Sequence, residues 1–378
     1  MTRPVHVCFD GVLDAAKSGG WRVFASTLRA LAKLGGLQLT AIIPDDRGSD
    51  FADVRGVDFV PVSVYPTQPL RNIAWHATSL PDLVRRLDAD VLHVPTHNLL
   101  VARRVCPTVV TIHDVTEFHL RGHYDPLRML YRHFVVPRNA RLADRIATVS
   151  EWVGRDIAAT LGVSPGRIVV APNGVDPTFR PVPTAEAAAS TRRECDVEPP
   201  YLLYVGQIHM PNKNLVRLVQ AFARARQRLP EGTRLVLAGR DVAGGDQVRA
   251  AVAELSLGDV VRHLGYVPDG MLPSLYSGAL AFCYPSLHEG FGLPVIEAMS
   301  CGTPVVTSDS TALAEVGRGA AILVDPLDVD AIAEAIRVAA TEPERRDALR
   351  NAGLARAARY TWDATAKILA GTYATLAR

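Results

Sequence analysis

The chain has 378 residues, of which 48% are hydrophobic and 21% are charged, and its formal net charge is +2. This length favours two domains over a single core, and the composition is typical of a soluble globular protein rather than a disordered one. The small net charge argues against nucleic acid as the main partner. The five cysteines are scattered without a C-x-x-C pair, which argues against a zinc site and is typical of a reducing cytoplasm. The N-terminus lacks the apolar region of a signal peptide, and no apolar run has the length of a membrane span, so we expect a cytoplasmic protein.

Short apolar, β-branched runs alternate with helical patterns along the whole chain. The first series of predicted strands covers residues 5–9, 39–43, 59–62, 91–94, 109–113, 146–149 and 168–170. A second series covers residues 201–205, 235–238, 260–264, 279–284, 305–308 and 321–324. Strands that alternate with helices are typical of parallel sheets, so we expect an α/β fold with two Rossmann-like domains.

A proline-dense stretch separates the two series. Prolines recur between residues 172 and 183, and an alanine-rich polar stretch continues to about residue 200. We therefore predict an N-terminal domain over residues 1–180 and a C-terminal domain over residues 181–360. Thr361 is a helix-cap signal and begins a final helical segment, residues 361–378. Ligands of parallel sheets bind outside the carboxyl ends of the strands, so the loops at those ends are the candidate sites.

The first candidate loop is the glycine pair Gly19 and Gly20, which follows the first strand and leads into an amphipathic helix. A turn of this kind can bind an anion through backbone N–H groups at the helix start. It lacks the G-x-G-x-x-G spacing of a dinucleotide-binding fold, so the sequence does not favour an oxidoreductase. The alternative is an ordinary turn between a strand and a helix.

Two histidine-bearing segments follow in the N-terminal domain. His113 and Asp114 end a predicted buried strand, where His113 would either emerge into a cleft as a catalytic contact or be structural. His93 and His97 suggest a metal pair, but Pro95 between them is incompatible with a helical i, i+4 spacing. The sequence therefore favours a loop near a bound substrate over a metal site.

An arginine-rich stretch lies between residues 121 and 145. Its members are Arg121, Arg128, Arg132, Arg138, Arg141 and Arg145, interspersed with aromatic and aliphatic residues in a largely helical pattern. Such a stretch could meet an anionic lipid carrier or a membrane surface, as a peripheral contact at the inner membrane face. The alternative, which the sequence slightly favours, is a solvated basic face.

Two loops of the C-terminal domain carry further candidates. The turn after the strand at residues 201–205 contains Gly206 and Lys213, and the lysine would either neutralise a diphosphate or lie on the surface. Tyr266 and Val267 follow the strand at residues 260–264, at a position where a nucleotide base would rest.

The most informative stretch is residues 288–299, in which Glu289 and Glu297 surround a glycine-rich turn that opens a helix. Gly290 and Gly292 permit close approach of the backbone to a ligand, and Pro294 suits the first helical turn. Such a helix start binds phosphate through unpaired N–H groups. The carboxylates would repel a diphosphate and would instead accept hydrogen bonds from sugar hydroxyls. The alternative is a plain helix cap, which would need neither both glutamates nor both glycines.

The spacing E-G-F-G-L-P-V-I-E resembles that of the retaining glycosyltransferases of family 4, and the likeness continues through residues 298–306. The resemblance implies the GT-B architecture, with two Rossmann-like domains facing across a cleft and a C-terminal helix that crosses back to the N-terminal domain. The N-terminal domain would bind the acceptor, and the C-terminal domain a nucleotide diphosphate sugar. The implied catalytic residues are His113, Lys213 and Glu289. The implied donor-binding residues are Gly19, Gly20, Gly206, Lys213, Tyr266, Val267, Gly290, Phe291, Gly292, Leu293 and Glu297.

The same resemblance implies individual roles. Glu289 would bind hydroxyls of the donor sugar, Glu297 those of the ribose, and Lys213 the phosphates. Many members of the family carry an arginine where this chain has Gln207 or Asn212, which puts a second cationic phosphate contact in doubt.

The reaction that the resemblance implies is transfer of a hexose from a nucleotide diphosphate sugar to a glycan, a lipid-linked or a small-molecule acceptor. GDP-mannose is the leading donor, and the backbone around Tyr266 and Val267 would read its base. The resemblance also implies retention by same-face attack, in which the leaving phosphate helps to accept the acceptor proton. We expect no cofactor and no divalent metal, because cationic and backbone donors can stabilise the diphosphate. Two alternatives stay open, a GT-B epimerase that acts on the donor alone and a non-catalytic nucleotide-sugar-binding subunit.

Overall fold

The computed structural model describes residues 3–13, 19–65, 67–99, 103–120 and 126–377. Its strands are β1 (Val5–Asp10), β2 (Leu37–Pro44), β3 (Val57–Val62), β4 (Val91–Val94), β5 (Thr108–Ile112), β6 (Arg145–Thr148), β7 (Ile168–Val170), β8 (Tyr201–Val205), β9 (Ile208–His209), β10 (Arg234–Ala238), β11 (Asp241–Ala243), β12 (Val261–Gly265), β13 (Ala281–Tyr284), β14 (Val305–Ser308) and β15 (Ile322–Val324). Its α-helices are α1 (Gly19–Leu34), α2 (Pro69–Arg86), α3 (Pro126–Leu142), α4 (Glu151–Leu161), α5 (Thr184–Cys195), α6 (Leu215–Ala225), α7 (Gly245–Glu254), α8 (Leu272–Gly278), α9 (Leu293–Ser300), α10 (Thr311–Gly317), α11 (Val329–Thr341), α12 (Pro343–Ala357) and α13 (Trp362–Leu376).

The chain divides into two compact units. Unit 1 consists of Met1–Gly174 and Thr361–Arg378, and unit 2 of Val175–Tyr360. The sequence placed the first boundary at residue 180, within the proline-dense linker. The structure assigns residues 175–180 to unit 2, because the Val175 N–H donates to the Tyr360 carbonyl at 3.0 Å and Ser300 Oγ donates to the Phe179 carbonyl at 2.8 Å.

Unit 1 is built on a parallel seven-stranded sheet in the order β3-β2-β1-β4-β5-β6-β7. Successive side chains of β1 point to opposite faces of this sheet, as the strand period requires. Val7 and Phe9 enter one buried cluster, and Cys8 enters a second cluster on the other face. The sheet is therefore covered by apolar side chains on both sides, which explains its nearly continuous hydrophobic strands.

The C-terminal helix α13 packs in unit 1. Its Leu369 and Tyr373 belong to the same buried cluster as Phe24 and Leu28 of α1. The helix begins at the predicted cap, where Thr361 accepts a hydrogen bond from the Ala364 N–H at 3.2 Å. The predicted return of the C-terminal helix to the first domain is thus confirmed.

Unit 2 is built on a parallel six-stranded sheet in the order β12-β10-β8-β13-β14-β15. A separate two-stranded ladder joins β9 to β11. These strands of two and three residues were not predicted, because they are too short to show a period. Helices separate most strands of the two large sheets, so the predicted α/β fold with two Rossmann-like domains is confirmed.

Each large sheet reverses its strand order once. The reversal lies between β1 and β4 in unit 1 and between β8 and β13 in unit 2. A crevice forms outside the carboxyl ends of two such strands, because their connections leave in opposite directions. The predicted glycine pair follows β1, Lys213 follows β8, and Glu289 follows β13, so three candidate loops belong to these two positions.

Candidate active site

The crevice of unit 2 is formed by the loops that follow β8 and β13. Two asparagines hold these loops together. Asn212 accepts a hydrogen bond from the His288 N–H at 3.1 Å, and Asn214 donates to the carbonyls of Pro285 and Pro326 at 2.9 and 2.6 Å. Both asparagines are buried, at 6% and 1% exposure, so Asn212 serves as a structural link between the loops.

Lys213 and Glu289 form an ion pair in this crevice, with Lys213 Nζ 2.5 Å from Glu289 Oε1. Their side chains are 16% and 13% exposed, so both charged groups are largely, but not completely, withdrawn from water. The hydroxyl of Tyr284 donates to Glu289 Oε1 at 2.9 Å and lies 3.2 Å from Lys213 Nζ. Lysine, glutamate and tyrosine thus form a compact polar group at the carboxyl end of β13.

The Tyr284 hydroxyl keeps its proton in this environment. Burial first, and then the charge of Glu289, raise the pKa of Tyr284 well above its ordinary value, and the charge of Glu297 adds a smaller effect. The ring stacks on Tyr204, with ring centroids 5.5 Å apart and an interplanar angle of 14°. Because a protonated phenol can donate while it accepts from an ammonium, Tyr284 can orient both charged groups.

The turn before α9 depends on Gly292. This residue adopts φ +93°, and a Cβ there would lie 2.6 Å from the Leu313 side chain. Gly290 is buried, Phe291 is 5% exposed, and the Phe291 ring meets the Tyr360 ring edge-on at 5.4 Å. The turn is therefore held by packing on one side, and Leu293 begins the helix α9 that follows it.

Glu297 lies inside α9 and is only 3% exposed. Its Oε2 accepts a hydrogen bond from the hydroxyl of Tyr276, itself fully buried, at 3.1 Å. Both glutamates of the sequence motif thus accept a hydrogen bond from a tyrosine hydroxyl, and Glu289 is in addition paired with Lys213.

Three glycines bring the ends of β8, β10 and β12 close together. A Cβ on Gly239 would overlap the carbonyl oxygen of Gly206, and the Gly239 N–H donates to the Gly265 carbonyl at 2.7 Å. Beyond β12, Tyr266 is 42% exposed and Val267 is buried. The guanidinium carbon of Arg240 lies 4.6 Å from the centroid of the Tyr266 ring, which fixes that ring from one side.

In unit 1, His113 follows β5 directly and is half-buried. Its Nε2 lies 3.1 Å from the Pro95 carbonyl, so a neutral His113 that donates there carries its proton on Nε2. Asp114 Oδ1 accepts from the Thr116 N–H at 3.0 Å and thereby shapes the following turn. Gly19 and Gly20 are the first two residues of α1, and the adjoining residues 14–18 lie outside the described ranges.

His93 and His97 occupy different environments. His93 lies within β4, with Nδ1 2.6 Å from the Tyr373 hydroxyl and Nε2 2.8 Å from Thr111 Oγ1. Burial, together with the charge of His113, lowers the pKa of His93 to about 3, so this ring is neutral. Its two nitrogens are both occupied within the protein, which makes it a core histidine.

Glu117 forms a buried charged cluster with His97 and Arg132, which the sequence did not reveal. Their exposed fractions are 2%, 4% and 7%, and the ion-pair distances from Glu117 are 3.5 Å to His97 Nε2 and 3.8 Å to Arg132. Burial raises the pKa of Glu117, but the interaction with the nearby His97 ring, aided by Arg132, outweighs burial and lowers the pKa overall. The cluster ties the loop after β4 to α3, and this loop supplies the Pro95 carbonyl that His113 contacts.

Two family models match the chain, one described as Glycosyltransferase Family 4 over residues 17–179 and one described as Glycosyl transferases group 1 over residues 189–356. The O-antigen chain mannosyltransferase B of Escherichia coli is 34% identical over 277 residues, which are 72% of this chain and 71% of that protein. The chain belongs to family 4 of the glycosyltransferases.

Another relative and a solved structure are also similar to this glycosyltransferase. The MMP alpha-(1->4)-mannosyltransferase of Mycolicibacterium hassiacum is 30% identical over 307 residues, 76% of this chain and 71% of that protein. The structure of Anabaena HepE in complex with UDP-glucose is similar with a TM-score of 0.79, covering 98% of this chain and 100% of that one at 17% identity. The likeness confirms the predicted GT-B fold.

The structure of this glycosyltransferase gathers part of the predicted set in unit 2. Lys213 and Glu289 touch directly, and Gly206 and Gly292 adopt positive φ values in the adjoining loops. His113, Gly19 and Gly20 lie in unit 1. Sequence reasoning missed the two tyrosines that hold the glutamates, Tyr276 and Tyr284. The available signal for Tyr284 was a phenol at the carboxyl end of a buried strand, directly before the candidate loop.

Within the described ranges, no helix combines the length and the apolar character that a membrane crossing requires.

Proposed function

We propose that the protein transfers a mannosyl group from a nucleoside diphosphate mannose, with GDP-mannose as the first candidate, to a hydroxyl of a glycan, lipid-linked or small-molecule acceptor. Support for mannose comes from relatives whose names give that activity, in Escherichia coli and in Mycolicibacterium hassiacum. The observation that carries the proposal is the Lys213–Glu289 pair at the strand reversal of unit 2. It provides a cation for phosphate and a carboxylate for sugar hydroxyls side by side.

The two ends of the donor would contact different members of this pair. The diphosphate would approach Lys213 and the start of α9, where the ammonium and the helix N–H groups both favour negative charge. Glu289 would accept hydrogen bonds from the sugar, and Glu297 from the ribose. Tyr266 and Val267 would place the base at the end of β12.

The reaction we propose proceeds with retention. The acceptor oxygen forms a bond to the anomeric carbon as the bond from that carbon to the β-phosphate oxygen breaks, and the acceptor proton passes to the leaving phosphate. Lys213 stabilises the negative charge that grows on the diphosphate. By resemblance to the family, His113 would contact the reacting sugar, and Gly19 and Gly20 would bind the phosphates and the acceptor.

A divalent metal is not part of this proposal, because Lys213 and the start of α9 supply the positive charge. Turnover in excess EDTA should therefore equal turnover without EDTA. Activity that disappears with EDTA and returns with Mg²⁺ or Mn²⁺ would refute this element.

The donor is best identified by thermal stabilisation. A donor at about 100 times its dissociation constant stabilises the folded state by about 2.7 kcal/mol, so GDP-mannose should raise the unfolding temperature more than UDP-glucose, UDP-N-acetylglucosamine or GDP alone. Nucleoside diphosphate release and the anomeric configuration of the product then test transfer and retention. A free epimerised sugar formed from the donor alone would indicate an epimerase, and stabilisation without any release would indicate a binding subunit.

A further inference from the structure

Arg240 is an exposed arginine that follows β10, at the carboxyl edge of the unit 2 sheet. Its guanidinium carbon lies 4.6 Å from the centroid of the Tyr266 ring, whereas the other cation–ring contacts of the described residues measure 5.4–5.6 Å. The backbone is anchored as well, because the Arg240 carbonyl accepts from the Ile208 N–H at 2.9 Å. The arginine is therefore held in place although its side chain is exposed to solvent.

The charge of Arg240 has no carboxylate partner among the residues that the structure describes. The neighbouring Asp241 instead pairs with Arg249 at 3.1 Å and accepts from the Gly245 N–H at 3.1 Å. A guanidinium carries five N–H donors in one plane, and the face of an aromatic ring offers these donors no acceptor oxygen or nitrogen. The donors of Arg240 are therefore available to a ligand.

The strand ends beside Arg240 leave space above the backbone. Gly265 ends β12 with φ +66°, and a Cβ there would meet no atom within 4 Å. The Gly265 carbonyl accepts from the N–H of Gly239, the residue directly before Arg240, at 2.7 Å. The open glycine and the arginine thus belong to one corner of the sheet, where a flat ligand can approach the backbone closely.

This corner is distinct from the part of the crevice that contains Lys213 and Glu289. The strand order is β12-β10-β8-β13, so Arg240 and Tyr266 follow strands on one side of β8, while Glu289 follows β13 on the other side. Neighbouring strands are about 4.8 Å apart, which separates β12 from β13 by roughly 14 Å. A nucleoside diphosphate whose phosphates approach Lys213 would extend its base toward the corner that contains Arg240.

We propose that Arg240 contacts the base of the donor and makes the protein select guanine. Guanine presents two acceptors, O6 and N7, on one edge, and an arginine can donate to both at once. Adenine carries an amino group in place of O6, and uracil lacks N7, so neither base offers this pair of acceptors. Tyr266 holds the guanidinium in position for the contact. The inference deepens the proposed function, on which it rests for the presence of a nucleotide in this crevice.

Calorimetry with GDP, ADP and UDP tests the base contact without any transfer reaction. The native protein should prefer GDP, and Arg240→Gln should reduce that preference by about 5- to 150-fold, the range for a bidentate arginine–guanine pair. The reduction should come from weaker GDP binding, with little change for ADP and UDP. Arg240→Lys should behave like Arg240→Gln, because lysine keeps the charge but lacks the planar fork of donors. Arg234→Gln is the matched control and should change nothing, since Arg234 is an exposed arginine at the opposite end of β10.

Equal losses for all three nucleotides in Arg240→Gln would overturn the proposal, because they would assign the arginine to the diphosphate that the nucleotides share. A native protein without a preference for GDP, an unchanged preference in Arg240→Gln, or an equal loss in Arg234→Gln would also overturn it. Release of GDP from GDP-mannose, measured in parallel with an acceptor, tests the proposed function separately. A protein that binds GDP through Arg240 but transfers no mannose would refute the proposed function and leave the base contact intact.

Discussion

Tyr284 offers the sharpest test of the site, because Tyr284→Phe removes one oxygen atom and leaves the ring in place. In the native structure that oxygen donates to Glu289 at 2.9 Å and lies 3.2 Å from the Lys213 ammonium. The raised pKa of Tyr284, which comes from burial and then from the charge of Glu289, keeps the hydroxyl protonated and able to donate. Phenylalanine would keep the stacking on Tyr204 but leave both charged groups with one partner fewer.

The size of the effect follows from the charge on the partners. A hydrogen bond to a charged group contributes about 1.5–3 kcal/mol, which corresponds to roughly a 10- to 150-fold change in an equilibrium or rate constant. We expect kcat/KM of Tyr284→Phe to fall within this range. Most of the fall should be in kcat, because the position of Lys213 matters most as negative charge grows on the leaving diphosphate.

Steady-state release of nucleoside diphosphate, with GDP-mannose and an acceptor, measures this effect. Tyr204→Phe is the matched control, since Tyr204 is buried in the same stack but its hydroxyl donates to the Gln207 carbonyl at 3.1 Å. Equal losses in the two variants would show that the stack as a whole, and not the Tyr284 hydroxyl, governs turnover. A Tyr284→Phe enzyme within about threefold of native activity would refute the positioning role, since the hydrogen-bond range predicts at least tenfold.

Three further changes test other parts of the structure. Glu297→Ala should raise the dissociation constant for the donor with little change in kcat, because contacts with ribose hydroxyls are equally strong in the ground and transition states; unchanged affinity in calorimetry would contradict the assigned role. His76 is buried, which lowers its pKa, but the charge and hydrogen bond of Asp10 outweigh this and raise the pKa overall. The stabilisation from this pair should be fully present below the unfolded-state pKa of about 6.5 and should be lost as pH rises through the higher folded-state pKa. The thermal midpoint of the native protein should therefore fall over that pH range, while the midpoint of His76→Gln should change less. Gly292→Ala should destabilise the protein by about 1–3 kcal/mol in urea unfolding, because Gly292 has a φ of +93° and an added Cβ would lie 2.6 Å from a leucine of α10. Gly270→Ala is the control and should cost less than about 1 kcal/mol, because its Cβ would meet nothing within 4 Å.

The parts of the fold that the sequence predicted have signals close together in the chain. Apolar runs with turns between them indicated the large strands, and the cap at Thr361 marked the last helix. The two glycines and two glutamates around the start of α9 lie within nine residues of one another, so their common location needed no tertiary information. The short ladder of β9 and β11 had no such local signal.

Contacts between residues that are far apart in the chain could not be predicted from the sequence. Tyr284 meets Lys213 across 71 positions, and the contact exists only because β8 and β13 are neighbours in a parallel sheet. The inward turn of Arg132 toward Glu117 was equally hidden, because α3 carries apolar residues on two faces and its pattern does not show which face is buried. The same ambiguity hid the exposure of Leu127, Leu130 and Phe134 on this helix.

Lys213 and Glu289 stabilise each other's charge in this largely buried position. Either charge alone, at 16% or 13% exposure, would be poorly solvated and would favour a rearranged loop. As a pair that also contacts the Tyr284 hydroxyl, the two charged groups hold each other in place. A ligand that carries only phosphate satisfies the ammonium but repels the carboxylate, and a free sugar satisfies the carboxylate but leaves the ammonium as it was. In the proposed function, a nucleoside diphosphate sugar would supply a partner to both groups at once, and the bond between its phosphate and its sugar is the one that the proposed reaction breaks.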